Sequence, residues 1–180
     1  MSNIHELSDE KLIEKIRSSD QELYSLIVER YQDKLLRYAS SLVHDGDMAA
    51  DVVQDSFIKV FINLRGFNTK KKFSSWIYRI VHNEAINAIK KYHREVQMPE
   101  GMDFKSGEDI KTDFEKEETA REIRSCLARI PQIYSAPLIL FYIDNKAYQE
   151  ISDILRIPMG TVAIRISRAK KLMEKLCQKI

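Results

Sequence analysis

Residues 73–94 read FSSWIYRIVHNEAINAIKKYHR, and their apolar side chains recur every three or four positions. That spacing is the period of an amphipathic helix, which we expect to begin near Trp76 with Ser74 or Ser75 as its cap. One stripe of the helix is apolar and should face a core: Tyr78, Val81, Ala85, Ala88, Ile89 and Tyr92. The opposite stripe is polar apart from one aromatic ring: Trp76, Arg79, Asn83, Asn87, Lys90 and Arg94.

The polar stripe carries the side chains that nucleic-acid surfaces use. Asparagine amides pair with base edges, Lys and Arg neutralise phosphates, and an aromatic ring stacks on an unpaired base. A basic stretch, Lys70, Lys71 and Lys72, lies just upstream. The alternative interpretation is a solvated polar face with Trp76 packed in the core.

The charge of the chain is divided into blocks. Its 29 Lys and Arg nearly balance its 27 Asp and Glu, but residues 65–94 carry 8 basic and 1 acidic side chain. Residues 156–180 carry 7 basic and 1 acidic, whereas residues 95–120 carry 3 basic and 9 acidic. Two basic blocks indicate two surfaces that meet polyanions, although solvated helix faces are the alternative. The acidic block contains Pro99 and Gly101 and predicts a linker over residues 95–116.

Composition excludes several classes of protein. A hydrophobic fraction of 44% in 180 residues is enough to bury a core. Two cysteines and four scattered histidines match no zinc spacing, and no apolar run is long enough to span a bilayer. We therefore expect a cytoplasmic protein without metal or cofactor. Cys126 and Cys177 could sense oxidation, but a buried cysteine is more often a small apolar filler.

Nearly all of the remaining sequence also has helical periodicity, with helices expected near residues 9–16, 21–42 and 47–64. In the third of these, Val53, Phe57, Val60 and Leu64 form a core stripe. The opposite side presents an acidic set with two isoleucines: Asp51, Gln54, Asp55, Ile58 and Ile62. Exposed isoleucines beside carboxylates favour a surface that docks a partner, and an ordinary helix surface is the alternative.

The end of the chain has the pattern of a helix-turn-helix. A short amphipathic helix over residues 147–155 is broken at Pro158, and a second helix follows from Gly160 to about Lys175. The inward side of the second helix is apolar: Val162, Ile166, Ala169, Met173 and Leu176. Its outward side is basic, as entry into the major groove of DNA requires.

Together these motifs resemble one family, the extracytoplasmic-function (ECF) sigma factors of the bacterial primary sigma family. The resemblance rests on five pieces in order: ADVVQDSF at 50–57, FSSWIYRIVHNEAIN at 73–87, IPQIY at 130–134, YQEISDIL at 148–155 and IPMGTV at 157–162. It implies an all-α fold with two small helical domains and a flexible acidic linker. The domains would be residues 1–94 and residues 117–180, the second with the helix-turn-helix.

The resemblance also implies roles for individual residues. The face of Asp51, Gln54, Asp55 and Ile58 would dock on the clamp of the largest subunit of core RNA polymerase. The minus-ten promoter element would meet Lys70, Lys71, Lys72, Phe73, Trp76, Arg79, Asn83, Asn87 and Lys90, with a flipped base in a pocket framed by Phe67 and Phe73. The second domain would sit on the polymerase flap and read the minus-thirty-five element with Thr161, Ala163, Ile164, Arg165, Ser167, Arg168 and Lys171. The linker would thread toward the active-site cleft, and an anti-sigma factor would hold the chain inactive.

Some positions depart from the family pattern. Ala163 and Ile164 stand where members commonly carry a basic residue followed by Ser, so base specificity is not carried over to them. Arg156 occupies a turn position that is often Gly, and a positive φ there would cost about 1 kcal/mol. Ser135 stands where Arg is usual, and Pro137 is expected to be tolerated only near the first turn of a helix. These departures concern the flap contact more than the clamp contact.

Two other functions and one domain arrangement stay open at this level. A stand-alone helix-turn-helix regulator would use only residues 121–180, although one such motif usually dimerises to bind well. An enzyme could hold Mg²⁺ on Asp51 and Asp55, but no Gly-rich phosphate loop or neighbouring His accompanies them, so we expect no catalytic residue. A closed arrangement, with the basic blocks packed on the acidic linker, is a further hypothesis.

Overall fold

The structure is a computed structural model that describes residues 4–18, 20–95 and 114–177, with side chains from residue 121 onward in the last range. The fold is all-α with two helical domains, and none of the described residues forms a strand. The N-terminal helices are α1 (Asp9–Ser18), α2 (Tyr24–Val43), α3 (Gly46–Asn63) and α4 (Phe73–Glu95). The C-terminal helices are α5 (Phe114–Ala128), α6 (Gln132–Tyr142), α7 (Tyr148–Leu155) and α8 (Met159–Cys177).

Helix boundaries in the N-terminal half follow local capping chemistry. The Ser8 hydroxyl accepts a hydrogen bond from the Lys11 N–H (3.4 Å), so α1 begins where the sequence predicts. His44 takes a left-handed conformation (φ 54°) that ends α2. The Asp45 carboxylate accepts from the Met48 N–H (2.7 Å) and starts α3. The Ser8 and Asp45 caps each satisfy a backbone donor that has no partner within its helix, and the His44 N–H satisfies the Ser40 carbonyl (3.0 Å).

The core of the N-terminal half lies between α2, α3 and α4, with α1 packed across them. Tyr38, Tyr78 and Phe73 are among its largest fully buried side chains. Replacing a buried side chain of this size by Ala typically costs about 3–5 kcal/mol, since a cavity adds to the lost apolar burial. The predicted core stripe of α3 is buried throughout.

Helix α4 begins at Phe73, three residues before the predicted start, and its cap comes from another helix. The Phe73 N–H donates to Glu10 Oε1 of α1 (3.0 Å). Ser74 or Ser75 was expected to cap the helix, but both lie within it, and the buried Ser75 hydroxyl has no partner among the described residues. A carboxylate 63 residues away therefore does what the local serines were expected to do.

The apolar core continues into the C-terminal half, where α6, α7 and α8 pack on one another. Its fully or nearly fully buried side chains include Ile139, Leu140, Ile151, Ile154 and Val162. The predicted inward face of α8 is confirmed at Val162, Ile166 and Ala169, which are all buried.

Pro137 lies within α6 and not near its first turn, so that expectation is wrong. A proline cannot donate to the carbonyl four residues earlier, here Ile133. Ser135 is buried in the same helix.

A disulfide joins Cys126 of α5 to Cys177 of α8. The sequence had left both cysteines as candidates for isolated apolar fillers, and the structure pairs them instead. Most of the predicted linker lies outside the described residues, and α5 already begins at Phe114. Within the described ranges, no helix is long and apolar enough to cross a membrane.

Candidate nucleic-acid and docking surfaces

The polar stripe of α4 is on the surface as predicted. Asn83, Asn87 and Lys90 are exposed, whereas Trp76 and Arg79 are partly buried. Because α4 is a continuous helix through Glu95, these side chains are presented along one straight face. Amides and cations in a row suit contacts to bases and phosphates.

The basic loop before α4 is held in place by α1. The Arg17 guanidinium donates to the Leu64 carbonyl (Nε–O 2.8 Å) and also reaches the Phe67 carbonyl. Within the loop, Asn68 Oδ1 accepts from the Lys70 N–H (3.0 Å). Lys70, Lys71 and Lys72 are all exposed. The structure thus fixes the backbone of the loop and leaves its three lysine side chains exposed.

Phe73 does not belong to the exposed surface, which corrects its assignment to DNA contact. Its side chain is 0% exposed, and its ring packs edge-on against Tyr31 and Phe67, with centroids 5.6 Å apart in each case. Phe67 is buried too. Aromatic rings with this burial form a core cluster, so the pocket framed by Phe67 and Phe73 is also wrong.

A different depression lies between α3 and α4. It is an open groove of about 420 Å³, lined by Lys59, Asn63, Gly66, Trp76, Ile80, Asn83 and Glu84. Lys59 and Glu84 form an ion pair (2.5 Å) across it. The Trp76 ring packs at 4.9 Å on Phe67 and still borders the groove. An aromatic wall beside two asparagine amides can hold one unpaired base.

The outward face of α3 is acidic with apolar side chains beside the carboxylates. Asp51, Gln54 and Asp55 are exposed, as predicted. Ile58 is 52% exposed and Ile62 is 71% exposed. Burial of such apolar side chains by a partner is favourable, so the face has the composition of a docking surface.

The outward face of α8 is basic, in agreement with the prediction. Ile164, Ser167, Arg168 and Lys171 are exposed, and Thr161, Ala163 and Arg165 are partly buried. The Arg168 guanidinium donates to the Tyr134 hydroxyl at 3.4 Å. Arg156, at the turn before α8, has φ 55°, so it has the positive φ that would strain its side chain.

Helix α7 contacts the α4 face, a relationship that sequence reasoning missed. Lys72 Nζ lies 3.1 Å from Glu150 Oε1, and Arg79 Nη1 donates to the Asp153 carbonyl (3.4 Å). Burial lowers the pKa of Arg79, and Arg156 lowers it further, whereas Asp153 raises it. For Glu150, burial alone would raise the pKa of the carboxyl, but the Ala147 N–H and Lys72 lower it overall.

The loop between α6 and α7 supplies further contacts that the sequence did not signal. Asp144 Oδ1 pairs with Arg37 Nη2 of α2 (3.0 Å), and the Asp144 side chain is 1% exposed. The Lys146 ammonium lies 4.4 Å from the centre of the Tyr78 ring, within cation–π distance. These partners are far apart in the chain, so no local pattern could pair them. Among the described residues, no cluster of three or more His, Cys, Asp or Glu side chains could hold a metal.

Two family models match the chain. The model of Sigma-70 region 2 matches residues 27–95, and the model of Sigma-70 region 4 matches residues 120–173. The first covers α2, α3, α4 and the basic loop. The second covers most of the C-terminal helices, including the helix-turn-helix.

Curated relatives are similar over nearly the full length. The chain is 32% identical to the ECF RNA polymerase sigma factor SigW of Bacillus subtilis, over 94% of this chain and 97% of that protein. It is 33% identical to the ECF RNA polymerase sigma-E factor of Escherichia coli K12, over 96% of each.

Two solved structures share the fold. The sigma factor RpoE of Bartonella quintana, in complex with the anti-sigma factor NepR, has a TM-score of 0.75 at 23% identity and covers 86% of this chain and 96% of that one. CnrH, in complex with the cytosolic domain of CnrY, has a TM-score of 0.74 at 22% identity and covers 95% and 97%.

Proposed function

Because the chain belongs to the ECF family of RNA polymerase sigma factors, we propose that its α3 face docks on core RNA polymerase while α4 and α8 read the promoter. Promoter-specific initiation then follows from bringing the polymerase to two DNA elements at once. This assignment is supported mainly by the presence of all three surfaces, on α3, α4 and α8, in one chain. One acidic face with exposed isoleucines and two basic helical faces lie on described helices, and α7 covers only part of the α4 face.

The α3 face is the proposed polymerase contact. Asp51, Gln54 and Asp55 supply charge for steering, and Ile58 supplies apolar area for affinity. The matching surface on the polymerase would be basic with an apolar centre. We assign it to the clamp of the largest subunit, as the family resemblance implies.

The α4 face and the basic loop are the proposed minus-ten contact. Lys70, Lys71, Lys72, Arg79 and Lys90 would neutralise phosphates of the melted strand. Asn83 and Asn87 would pair with base edges, and Trp76 would stack on an unpaired base in the groove between α3 and α4. The groove replaces the phenylalanine-framed pocket that the sequence suggested, because those rings lie in the core.

The α8 face is the proposed minus-thirty-five contact. Arg168 and Lys171 are exposed cations, Ser167 offers a hydroxyl, and Ile164 offers an apolar contact to a thymine methyl group. Thr161, Ala163 and Arg165 flank them. The same C-terminal helices would also rest on the polymerase flap, with the linker over residues 95–116 leading to the active-site cleft.

The remaining assignments concern the cellular setting. We place the chain in the cytoplasm as a non-enzymatic initiation subunit that uses no cofactor and no small-molecule substrate. A dedicated protein regulator is also part of the proposal. It is supported by the two structural neighbours, one solved with the anti-sigma factor NepR and one with the cytosolic domain of CnrY.

Run-off transcription from a pool of random promoters tests the whole proposal. Bacterial core polymerase is used with and without the protein, and transcripts that appear only with it should share two spaced upstream elements. A complementary pull-down uses Asp51→Arg, which should lose core polymerase without unfolding. Asp33→Arg makes the same charge change on the exposed side of α2 and serves as control.

Two results would contradict the proposal. Retained polymerase affinity in Asp51→Arg would remove the α3 docking assignment. No added transcripts, together with a gel shift of duplex DNA by the protein alone, would instead indicate a stand-alone helix-turn-helix regulator.

A further inference from the structure

Helix α7 lies against the same side of α4 that is proposed to meet the minus-ten strand. Lys72 is paired with Glu150 at 3.1 Å, and Arg79 donates to the Asp153 carbonyl at 3.4 Å. A carboxylate and a carbonyl oxygen thus occupy two cations that DNA phosphates would need. Asn83, Asn87 and Lys90 stay exposed, so the cover is partial.

The contact is anchored beside α4 by the loop that precedes α7. Asp144 reaches Arg37 of α2 at 3.0 Å and is almost fully buried there. Lys146 sits over the ring of Tyr78, a core residue of α4. Both residues lie in the loop between α6 and α7, and both side chains meet the N-terminal half. Their burial therefore depends on the two halves being together.

The charges on the two sides are complementary. The N-terminal half contributes Arg37, Lys72 and Arg79, and the C-terminal half contributes Asp144 and Glu150. A phosphate backbone presents negative oxygens to the same cations. Because α7 lies against α4 beside Lys72 and Arg79, a DNA strand cannot occupy the same space in front of these two cations, so α7 and DNA exclude each other there.

We infer that the free chain is self-inhibited: α7 and the Asp144 loop act as an internal substitute for DNA and must leave α4 before the minus-ten strand binds. This inference rests on the proposed DNA-binding role of α4. It is distinct from the hypothesis that the acidic linker covers the basic blocks, because most of that linker lies outside the described residues; the acidic groups that meet α4 here are on α7 and its preceding loop.

The expected effect on affinity follows from population shift. When only a fraction of molecules is open, the apparent Kd for DNA is the intrinsic Kd divided by that fraction. A substitution that opens the chain should therefore tighten DNA binding although it adds no contact to DNA. For a largely closed chain the expected gain is about tenfold or more.

Asp144→Arg in the full chain is the test, because it places a cation opposite Arg37 and leaves the proposed DNA contacts intact. The Asp144 partner lies in the other half, so the C-terminal helices should fold normally, which circular dichroism checks. The matched control is Glu174→Arg, the same charge change at an exposed position of α8. The double variant Arg37→Asp with Asp144→Arg should restore the ion pair in reverse.

Two readouts are compared for each variant. Small-angle scattering measures opening, and fluorescence anisotropy measures binding of a short labelled single-stranded DNA of randomised sequence. We expect Asp144→Arg to be more extended and to bind at least tenfold tighter than the Glu174→Arg control. The double variant should return toward the compact, weaker-binding form.

Three outcomes would overturn the inference or its premise. An Asp144→Arg chain that stays compact shows that this contact does not hold the closed form. An open chain with measurable but unchanged affinity shows that closure does not inhibit, and leaves the α4 assignment standing. An open chain that binds no DNA removes the proposed role of α4 itself.

Discussion

Tyr38 of α2 and His82 of α4 share a hydrogen bond of 2.9 Å between the tyrosine hydroxyl and Nδ1 of the imidazole. Tyr38 is fully buried, and the two rings stack with centroids 6.3 Å apart. Burial lowers the pKa of His82 to about 4. The pair therefore ties α4, the helix proposed to contact DNA, to the core through an imidazole that is neutral at physiological pH.

The first prediction is that this histidine makes the N-terminal half sensitive to acid. The unfolded chain binds a proton at the ordinary pKa of 6.5, whereas the folded chain does so only near pH 4. Between these values the unfolded state holds more protons, so stability falls as the pH is lowered. The loss reaches about 3 kcal/mol at pH 4, measured by urea denaturation at a series of pH values.

His82→Gln is the matched variant, since an amide can still meet the Tyr38 hydroxyl but does not titrate. The difference between the two stability curves isolates His82 from the carboxylates, which both proteins share. Parallel curves between pH 4 and pH 6.5 would contradict the prediction.

A second prediction concerns the left-handed turn at Arg156. Its φ of 55° brings Cβ close to the following carbonyl, so Arg156→Gly should raise the free energy of unfolding by about 1 kcal/mol. Asn145 also has a positive φ (51°), but asparagine tolerates that conformation better. Asn145→Gly should therefore raise the free energy of unfolding by less. Arg156→Ala removes the charge and keeps Cβ, so an equal gain there would attribute the effect to charge.

A third prediction separates base reading from phosphate binding on α4. In holoenzyme binding to single-stranded minus-ten DNA, Asn83→Ala should lose about 1–3 kcal/mol of discrimination at one base position. Lys90→Ala should weaken all sequences alike and flatten the salt dependence by about 0.7 in log–log slope. Anisotropy titrations over a range of salt concentrations measure both effects. Identical salt slopes for the two variants would contradict the assignment.

A fourth prediction concerns the exposed isoleucine at the end of the α3 face. Ile62 is 71% exposed, so Ile62→Ser should change stability by less than about 0.5 kcal/mol. Its affinity for core polymerase should nevertheless fall, because a partner would cover that side chain. Ile123→Ser, at another exposed isoleucine, is the control for non-specific hydrophobic association. Equal polymerase affinity of both variants would argue against docking through Ile62.

A fifth prediction follows from the disulfide. Cys126 and Cys177 are 51 residues apart. Closing a loop of that size lowers the conformational entropy of the unfolded chain, which raises the free energy of unfolding by up to about 4 kcal/mol. Reductant should therefore lower the urea midpoint of the C-terminal helices. Cys177→Ser should show the lower midpoint with and without reductant, and an unchanged midpoint in the wild type would contradict the prediction.

The surfaces of single helices could be predicted from the sequence because helical periodicity is local. Asp51, Asn83 and Arg168 each stand opposite an apolar stripe, and all three are exposed. The same logic gives the inward residues of α8. A 3.6-residue repeat shows which side of one helix faces a core. That was sufficient to predict that these three side chains are exposed.

Features that join distant parts of the chain could not be predicted in this way. Phe73 follows three lysines, and only its packing on Tyr31 and Phe67 reveals that it is buried. The start of α4 depends on Glu10, and the contact between the halves depends on Arg37 meeting Asp144. Each of these pairs is specified by the fold and has no signature in either partner's neighbourhood.

The hydrogen bonds from α1 to the basic loop and to the start of α4 limit where the chain can be truncated. Glu10 caps α4, and Arg17 holds the carbonyls of Leu64 and Phe67, yet the match to Sigma-70 region 2 begins only at residue 27. A fragment cut at that boundary would keep every side chain proposed to touch DNA and lose the two that hold their loop. The segment that the family model matches is therefore shorter than the segment that positions the basic loop. Trimming the chain to the matched segment would yield a helix bundle with a misplaced loop.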